Sequence, residues 1–324
     1  MGRLPTEFVS IINGDVLQNN AIRTYSDILP LGREGWHKLR LTFCHTLGAG
    51  GTVPNVLGSY RFIKNIVLRT NRNENIINMP GMALYYLNWI FNGVEPTYTN
   101  VIAGAGAFEA TIDIPFIFPF LSRSEDLIID TGRYRSMELE IHTGTGADFQ
   151  RTAPPTVATE IDISVMRSKS AFSSAGKPHF LPFLKHVAPF QAVTRGYHDV
   201  EVADDLALFG FLAVANDLVT WGAIGNAYDG TPIDCLDLIS FQDNVQAWVR
   251  NLVREVFVEE RAHYSNNRAF TGVYPYFLTR EGSYRNAYWT GEKSELRFVI
   301  GNGNVGTPTT PQVDLILIGM RDMR

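Results

Sequence analysis

Seven histidines are the first residues to weigh for catalysis or metal binding: His37, His45, His142, His179, His186, His198 and His263. A zincin-type metal site needs two of them one helical turn apart with a glutamate between, because only that spacing puts both imidazoles on one helix face. No pair here has it, so the seven read as surface residues or hydrogen-bonded core residues. A Gly-x-Ser-x-Gly nucleophile elbow and a Walker loop are both missing from the sequence. Gly48-Ala49-Gly50-Gly51 and Gly104-Ala105-Gly106 are rich in glycine. Phosphate cradling needs a helix to start directly after such a loop, and neither Thr52-Val53-Pro54 nor Phe108-Glu109-Ala110 starts one, so both read as surface loops.

Acidic pairs stand at Glu125-Asp126, Asp204-Asp205 and Glu259-Glu260. A glycosidase needs two carboxylates facing one another across a cleft, whereas adjacent acids in a strand or helix point in different directions. They read as solvated charge, with a calcium ion held between subunits as the secondary reading for Asp204-Asp205. Arg61, Lys64, Arg69 and Arg72 form a local basic cluster, expected to pair across subunits before it contacts lipid headgroups or a genome. Cys44 and Cys235 lie far apart in sequence and form no metal or redox motif, so they read as two reduced, buried thiols. The sequence thus predicts no catalytic, cofactor-binding or metal-binding residue, and no enzyme.

The elements that carry these residues are mostly strands. The 324 residues are 45% hydrophobic and 19% charged, enough apolar mass for one large domain or two of ordinary size. Phe at 20 and Tyr at 13 favour β-structure, and Gly at 28 with Pro at 16 supplies frequent turns. The net charge is −5 and both halves are mildly acidic, which argues against a bulk electrostatic grip on nucleic acid. The first residues lack the layout of a signal peptide, there is no Asn-x-Ser/Thr site, and no apolar run is long enough to cross a bilayer. The expectation is a protein that is neither exported nor membrane-spanning.

A weak internal duplication runs through the chain. Thr131-Gly132-Arg133-Tyr134 leads into Met137-Glu138-Leu139-Glu140-Ile141 and then Gly144-Thr145-Gly146. Thr290-Gly291 leads into Glu295-Leu296-Arg297-Phe298 and then Gly301-Asn302-Gly303. A proline-bearing loop follows each, then an apolar strand: Ile161 to Arg167 in the first half, Val313 to Arg321 in the second. Upstream, Ile112 to Phe118 parallels Thr271 to Phe277. The offset stays near 150–160 residues throughout, as loop variation between two copies of one domain allows.

Each half also offers one helix. In the first it runs from Pro80 to Phe91, stopped by Asn92-Gly93, with Met82, Tyr85, Tyr86 and Trp89 along one side. In the second it runs from Gln242 to about Val258, with Val245, Trp248, Val249, Leu252, Val253 and Val256 as its apolar stripe. Leu39 to Phe43 alternates, while Phe209 to Val214 reads as buried on both faces. The expected fold is all-β: two tandem eight-stranded jelly-roll sandwiches, each with an inserted α-helix. Residues 1–30 would be an N-terminal arm, 31–168 the first jelly roll, 169–182 a Ser/Gly/Pro-rich linker and 183–324 the second jelly roll.

This organisation resembles the double jelly-roll major capsid proteins of tailless icosahedral viruses, particularly bacterial viruses with an internal membrane. The resemblance is carried by Phe62 to Leu68, the Asn-rich turn before Pro80, the helix ending at Asn92-Gly93, and Asp113-Ile114-Pro115 through Ile128-Ile129-Asp130-Thr131 to Leu139-Glu140-Ile141. It implies homotrimers with a pseudo-hexagonal outline, tiled with neighbouring capsomers into a virion assembled in the host cytoplasm. It also implies minor capsid and vertex proteins as partners, and no sequence-specific nucleic acid. An arm over Met1 to Leu31 would face neighbours or the inner viral membrane, and Gly93 to Ala107 and Ala215 to Asp234 would project as tower loops. Trp221, Tyr228, Tyr284, Tyr288 and Trp289 are candidate interface anchors, with edge or core packing as the equal alternative. Two other readings remain open: a two-domain jelly-roll hydrolase acting on glycans, and a receptor- or carbohydrate-binding spike.

Overall fold

A computed structural model describes residues 5–30, 32–48, 57–71, 74–96, 106–121, 127–149, 154–169, 180–191, 196–201, 206–217, 231–232, 236–242, 247–252, 272–278, 287–291, 295–302 and 311–322. The chain divides into two compact units, the first ending at Leu184 and the second covering Lys185–Asp322.

In the first unit the strands are β1 (Thr6–Leu17), β2 (Ile22–Tyr25), β3 (Gly35–Leu47), β4 (Ile63–Thr70), β5 (Glu74–Met79), β6 (Gly106–Pro115), β7 (Ile129–Asp130), β8 (Met137–Thr143) and β9 (Val157–Ser168). Two helices interrupt them, α1 (Gly58–Phe62) and α2 (Gly81–Asn92). One sheet runs β1-β9-β3-β6, with the short β7 also on β3; the other runs β5-β4-β8-β2. The alternation read from the sequence determines which face goes inward. Along β8 the residues Met137, Leu139, Ile141 and Thr143 are buried, and Glu138, Glu140 and His142 between them are half-buried. Along β9, Val157, Thr159, Ile161, Ile163 and Val165 point inward. Trp36, Leu39, Leu41 and Phe43 of β3 complete the core between the sheets.

In the second unit the strands are β10 (Phe180–Gln191), which begins just before the boundary, β11 (Gly196–Glu201), β12 (Leu206–Asp217), β13 (Thr231–Pro232), β14 (Leu236–Gln242), β15 (Ala247–Leu252), β16 (Val273–Phe277), β17 (Tyr288–Trp289), β18 (Glu295–Asn302) and β19 (Pro311–Asp322). Here β10-β19-β12 forms one sheet, with β13, β16 and β17 on β12, and β11-β18-β14-β15 the other. Leu206 to Ala215 of β12 are all buried, as a central strand with partners on both sides requires.

The two units repeat one connectivity. β3 pairs with β9, β6 and β7, and β12 pairs with β19, β16 and β17. β4 lies between β5 and β8, with β2 beyond; β14 lies between β15 and β18, with β11 beyond. Eight strands in two sheets in this order are a jelly roll, and each unit has one. The duplicated Thr-Gly steps occupy the same place in both. Thr131 N–H donates to the Glu34 carbonyl at 2.9 Å, and Glu34 N–H donates back to Thr131 Oγ1 at 2.8 Å. Thr290 N–H donates to the Leu206 carbonyl at 2.9 Å, and Leu206 N–H donates to Thr290 Oγ1 at 3.2 Å. Both hydroxyls also donate to the same carbonyls, at 3.2 and 3.0 Å. Each threonine thus closes the backbone at the start of the central strand, where the ladder itself provides no partner.

Helix α2 forms where Pro80 and Asn92-Gly93 bracket it. Pro80 is the N-cap, and Gly93 ends the helix with φ +64, a left-handed conformation that glycine adopts without strain. Ala83, Leu84, Tyr85, Tyr86, Leu87 and Ile90 are buried around its whole circumference, while Met82 and Trp89 are half-buried, so the single apolar stripe understates the packing. Gly81 permits the helix to start close against α1: a Cβ there would lie 2.3 Å from the Tyr60 carbonyl oxygen. Asn88 is the one polar side chain buried in the helix middle. Its amide donates to the Asp113 carbonyl at 2.6 Å and accepts from Asp113 N–H at 2.8 Å. It therefore takes the place of a neighbouring strand along the free side of β6. Tyr60 Oη donates to the Thr111 carbonyl on the same side, at 3.3 Å.

Several expectations need correction. The stretch from Gln242 to about Val258 is not helical through its first half: Gln242 ends β14, and Ala247–Leu252 form β15, antiparallel to it. Valine-rich sequence with branching at Cβ prefers the pleated sheet, and the partner strand decides the outcome. The place equivalent to α2, between β15 and β16, lies outside the described residues. The arm expected over Met1 to Leu31 is not separate across its described residues either, since Thr6–Leu17 pairs with β9 and Ile22–Tyr25 with β8. Its apolar and polar residues interleave because it is a sheet edge. Of the two tower loops, Ala215–Asp217 belong to β12 and Thr231–Pro232 to β13; residues 97–105, 218–230 and 233–235 lie outside the described residues, as does most of the linker. Cys44 is free and only half-buried, because it sits on the outer side of β3, and Cys235 is outside the described residues.

Four substitutions test this framework. Thr131→Val and Thr290→Val should each cost about 1–3 kcal/mol by leaving the part-buried Glu34 or the buried Leu206 backbone donor unpaired, read as a lower urea midpoint, while Thr131→Ser restores most of the loss. Asn88→Leu should cost about 2 kcal/mol or more, since two buried Asp113 backbone groups lose their partner together; an unchanged midpoint would rule out the strand-substituting role.

Candidate functional site

The side chains that could do chemistry are mostly satisfied within the first unit. Lys64 pairs with Asp148, and Arg69 bridges Glu138 at 2.9 Å and Glu140 at 2.8 Å. Arg61 is buried in α1, and Arg72 lies outside the described residues. The basic cluster expected to pair across subunits is thus occupied at Lys64 and Arg69 by carboxylates of its own chain: Asp148 of the turn Gly146–Asp148 for Lys64, and the cross-strand Glu138 and Glu140 of β8 for Arg69. His142 is bonded to Glu140, and His186 Nε2 lies 2.8 Å from Asp314. His37 bonds Ser168 at 2.9 Å, and burial lowers its pKa. His45 is fully enclosed. The pairs Glu125-Asp126, Asp204-Asp205 and Glu259-Glu260 fall outside the described residues, as do His179 and His263. Among the described residues no group of three His, Cys, Asp or Glu side chains is arranged to hold a metal ion.

Cys44 has acidic neighbours. Its cross-strand partners are Glu160 on β9 and Glu109 on β6. Burial raises the thiol pKa, and the charges of Glu109, Asp162 and Glu160 raise it further. A thiol held protonated in this way is a poor nucleophile and a poor metal ligand.

The distinctive surface is the outer face of the β1-β9-β3-β6 sheet. Asp113 receives Lys38 at 2.5 Å and a two-pronged bond from Arg40 at 2.8 and 3.0 Å. Burial alone would raise the Asp113 pKa, but the bonds from Arg40 and Lys38 outweigh it and hold the carboxyl below the ordinary aspartate value. Phe8 of β1 lies over both cations, its ring centre 4.6 Å from the Arg40 guanidinium and 5.6 Å from Lys38 Nζ. Arg167 joins Glu7 of β1 to Glu34, which also accepts from Trp36 Nε1 at 2.9 Å. One end of β1 is thereby fastened by charge.

The two edges of this sheet differ. The β6 edge is covered by α1 and α2 through Tyr60 and Asn88. The β1 edge has β9 as its sheet neighbour on one side, and the register slips between Ser10 and Ile12 and again between Ile12 and Asp15. Such bulges twist an edge away from straight strand addition. Phe8 is 45% exposed and Val16 62%, and Ile22 of the following strand is 60% exposed. In the second unit Trp289 is 40% exposed, whereas Tyr288 is buried and packs as core. Trp221, Tyr228 and Tyr284 lie outside the described residues. The sequence did not mark Asn88 or Phe8, and Asp113 stood out only as part of the resemblance. A lone asparagine inside Leu84-Tyr85-Tyr86-Leu87-Asn88-Trp89-Ile90 was the available signal for the first of these.

No protein-family model matches the sequence, and no curated protein matches it either. Solved structures do match its fold. The STIV MCP, from Sulfolobus turreted icosahedral virus, superposes with a TM-score of 0.71 at 10% identity, over 98% of this chain and 97% of that one. The major capsid protein of bacteriophage PM2 gives 0.62 at 12% identity, over 99% and 98%. The Faustovirus major capsid protein gives 0.63 at 8% identity, over 100% and 92%. From end to end, the chain has the double jelly-roll fold of these viral capsid proteins.

Proposed function

We propose that this chain is a major capsid protein, a structural subunit of an icosahedral virion with no catalytic role. The observation that carries the reading is the extent of the match: both jelly rolls, in the same order, account for nearly all of this chain and nearly all of the STIV and PM2 capsid proteins. A fold alone does not fix a function, so the surface matters as well. In the first unit many of the described charged side chains are spent on ion pairs within the chain, and the exposed Phe8, Val16 and Ile22 lie along strands. That suits broad contact between copies better than capture of a small substrate. No observation favours the glycan hydrolase or the receptor-binding spike.

In this reading three chains close as a ring through a head-to-tail contact, and six jelly rolls give the capsomer its pseudo-hexagonal outline. Neighbouring capsomers are the main partners, with minor capsid and vertex proteins where the tiling changes. A net charge of −5 suits a shell that encloses a genome without gripping it by bulk charge.

The test is the size and shape of the purified protein. Light scattering should give about three times the 36.2 kDa chain mass, or larger shells, and negative-stain images should show hexagonal plates or icosahedra. A stable monomer that releases sugars from glycans would overturn the proposal.

A further inference from the structure

His45 is a buried imidazole for which the fold provides only half of its bonding. It lies on β3, 1% exposed, with its ring 5.0 Å from Phe149, 5.2 Å from Phe62 and stacked 6.2 Å from Phe43. Its Nδ1 meets Thr159 Oγ1 at 2.9 Å, and its Nε2 has no hydrogen-bond partner. The charged groups on the elements packed around it are turned elsewhere. Lys64, two residues after Phe62, is bonded to Asp148, whose carboxylate also accepts from Thr145 N–H at 2.8 Å. Glu109 and Glu160 are cross-strand partners of Cys44, on the opposite face of the sheet from His45. Arg61 is a cation and can only oppose a second positive charge.

Phe149 follows a short 3-10 turn at Gly146–Asp148 and sits against α1: a Cβ added to Gly58 would lie 2.6 Å from its ring. The ring that touches His45 therefore also supports this corner of the first unit. We propose that His45 is an acid-released latch: taking up a proton drives its imidazole out of the phenylalanine cage and frees the corner formed by α1 and Gly146–Phe149. The imidazolium would hold a positive charge and an Nε2–H with no acceptor inside an apolar cage.

The direction follows from linkage. Burial pushes the His45 pKa down from 6.5 to about 3 in the folded chain. The unfolded or opened chain thus binds the proton first, and the stabilisation is progressively lost as the pH falls below about 6.5. Carboxylates of depressed pKa, such as Asp113, Asp15 and Glu140, add their own loss only at lower pH, since their ordinary values are 3.8, 3.8 and 4.5. The interval from about pH 6.5 to pH 5 therefore isolates the imidazoles.

Hydrogen exchange read by mass spectrometry, corrected for intrinsic rates, tests the proposal on the full chain. Protection of residues 57–62 and 145–149 should fall about tenfold per pH unit across that interval. His45→Phe, which keeps a ring but takes no proton, should abolish the fall, and His37→Gln should leave it intact. If His45→Phe fails to fold, His45→Gln retains a neutral partner for Thr159 and should give the same flat response. Unchanged protection in the parent chain, an equal fall in the His45 variants, or a response that follows His37 would each overturn the latch.

Discussion

Every sheet ends in a strand whose outer backbone groups need partners, and much of this structure is an answer to that requirement. Where β3 and β12 begin, a threonine completes the ladder with its own amide and hydroxyl. Where β6 would lie open, Asn88 presents a primary amide in place of a peptide. Where β1 ends the sheet, the chain bends the edge instead of covering it. Helix α2 is held by this need as much as by its apolar surface, because Asn88 fixes its rotation and height on the sheet.

The same requirement explains why the duplication survives in structure better than in sequence. The core positions of the two units are filled by different apolar residues, and many combinations of them pack adequately. A hydroxyl that must bond both the N–H and the C=O of one residue is harder to replace. Thr131 and Thr290 therefore stood out in the sequence as part of a Thr-Gly step without revealing their purpose. Their role required knowing that Glu34 and Leu206 lie opposite them, and those contacts span most of a domain.

Strand alternation in β8 and β9, the caps of α2 and the apolar run of β12 were all legible, because period and punctuation are local properties. The stretch around Trp248 and Val249 misled for the reason that short apolar segments do: valines at positions three and four apart fit a helix, and pairing with the preceding strand β14 settled the matter. The opening residues misled differently. Ile11, Ile12, Val16 and Leu17 among polar neighbours resemble a segment awaiting a partner, and the partner is β9 of the same chain. The candidate site was less legible still. Lys64 and Arg69 read as a free basic patch because sequence cannot show that Asp148, Glu138 and Glu140 meet them.

The double slip in β1 has a further consequence for what can add to this sheet. An extended segment from another molecule could align with such an edge for only a few residues before its amides and carbonyls fell out of phase. Fibrous stacking by strand addition at this edge would be frustrated at the outset.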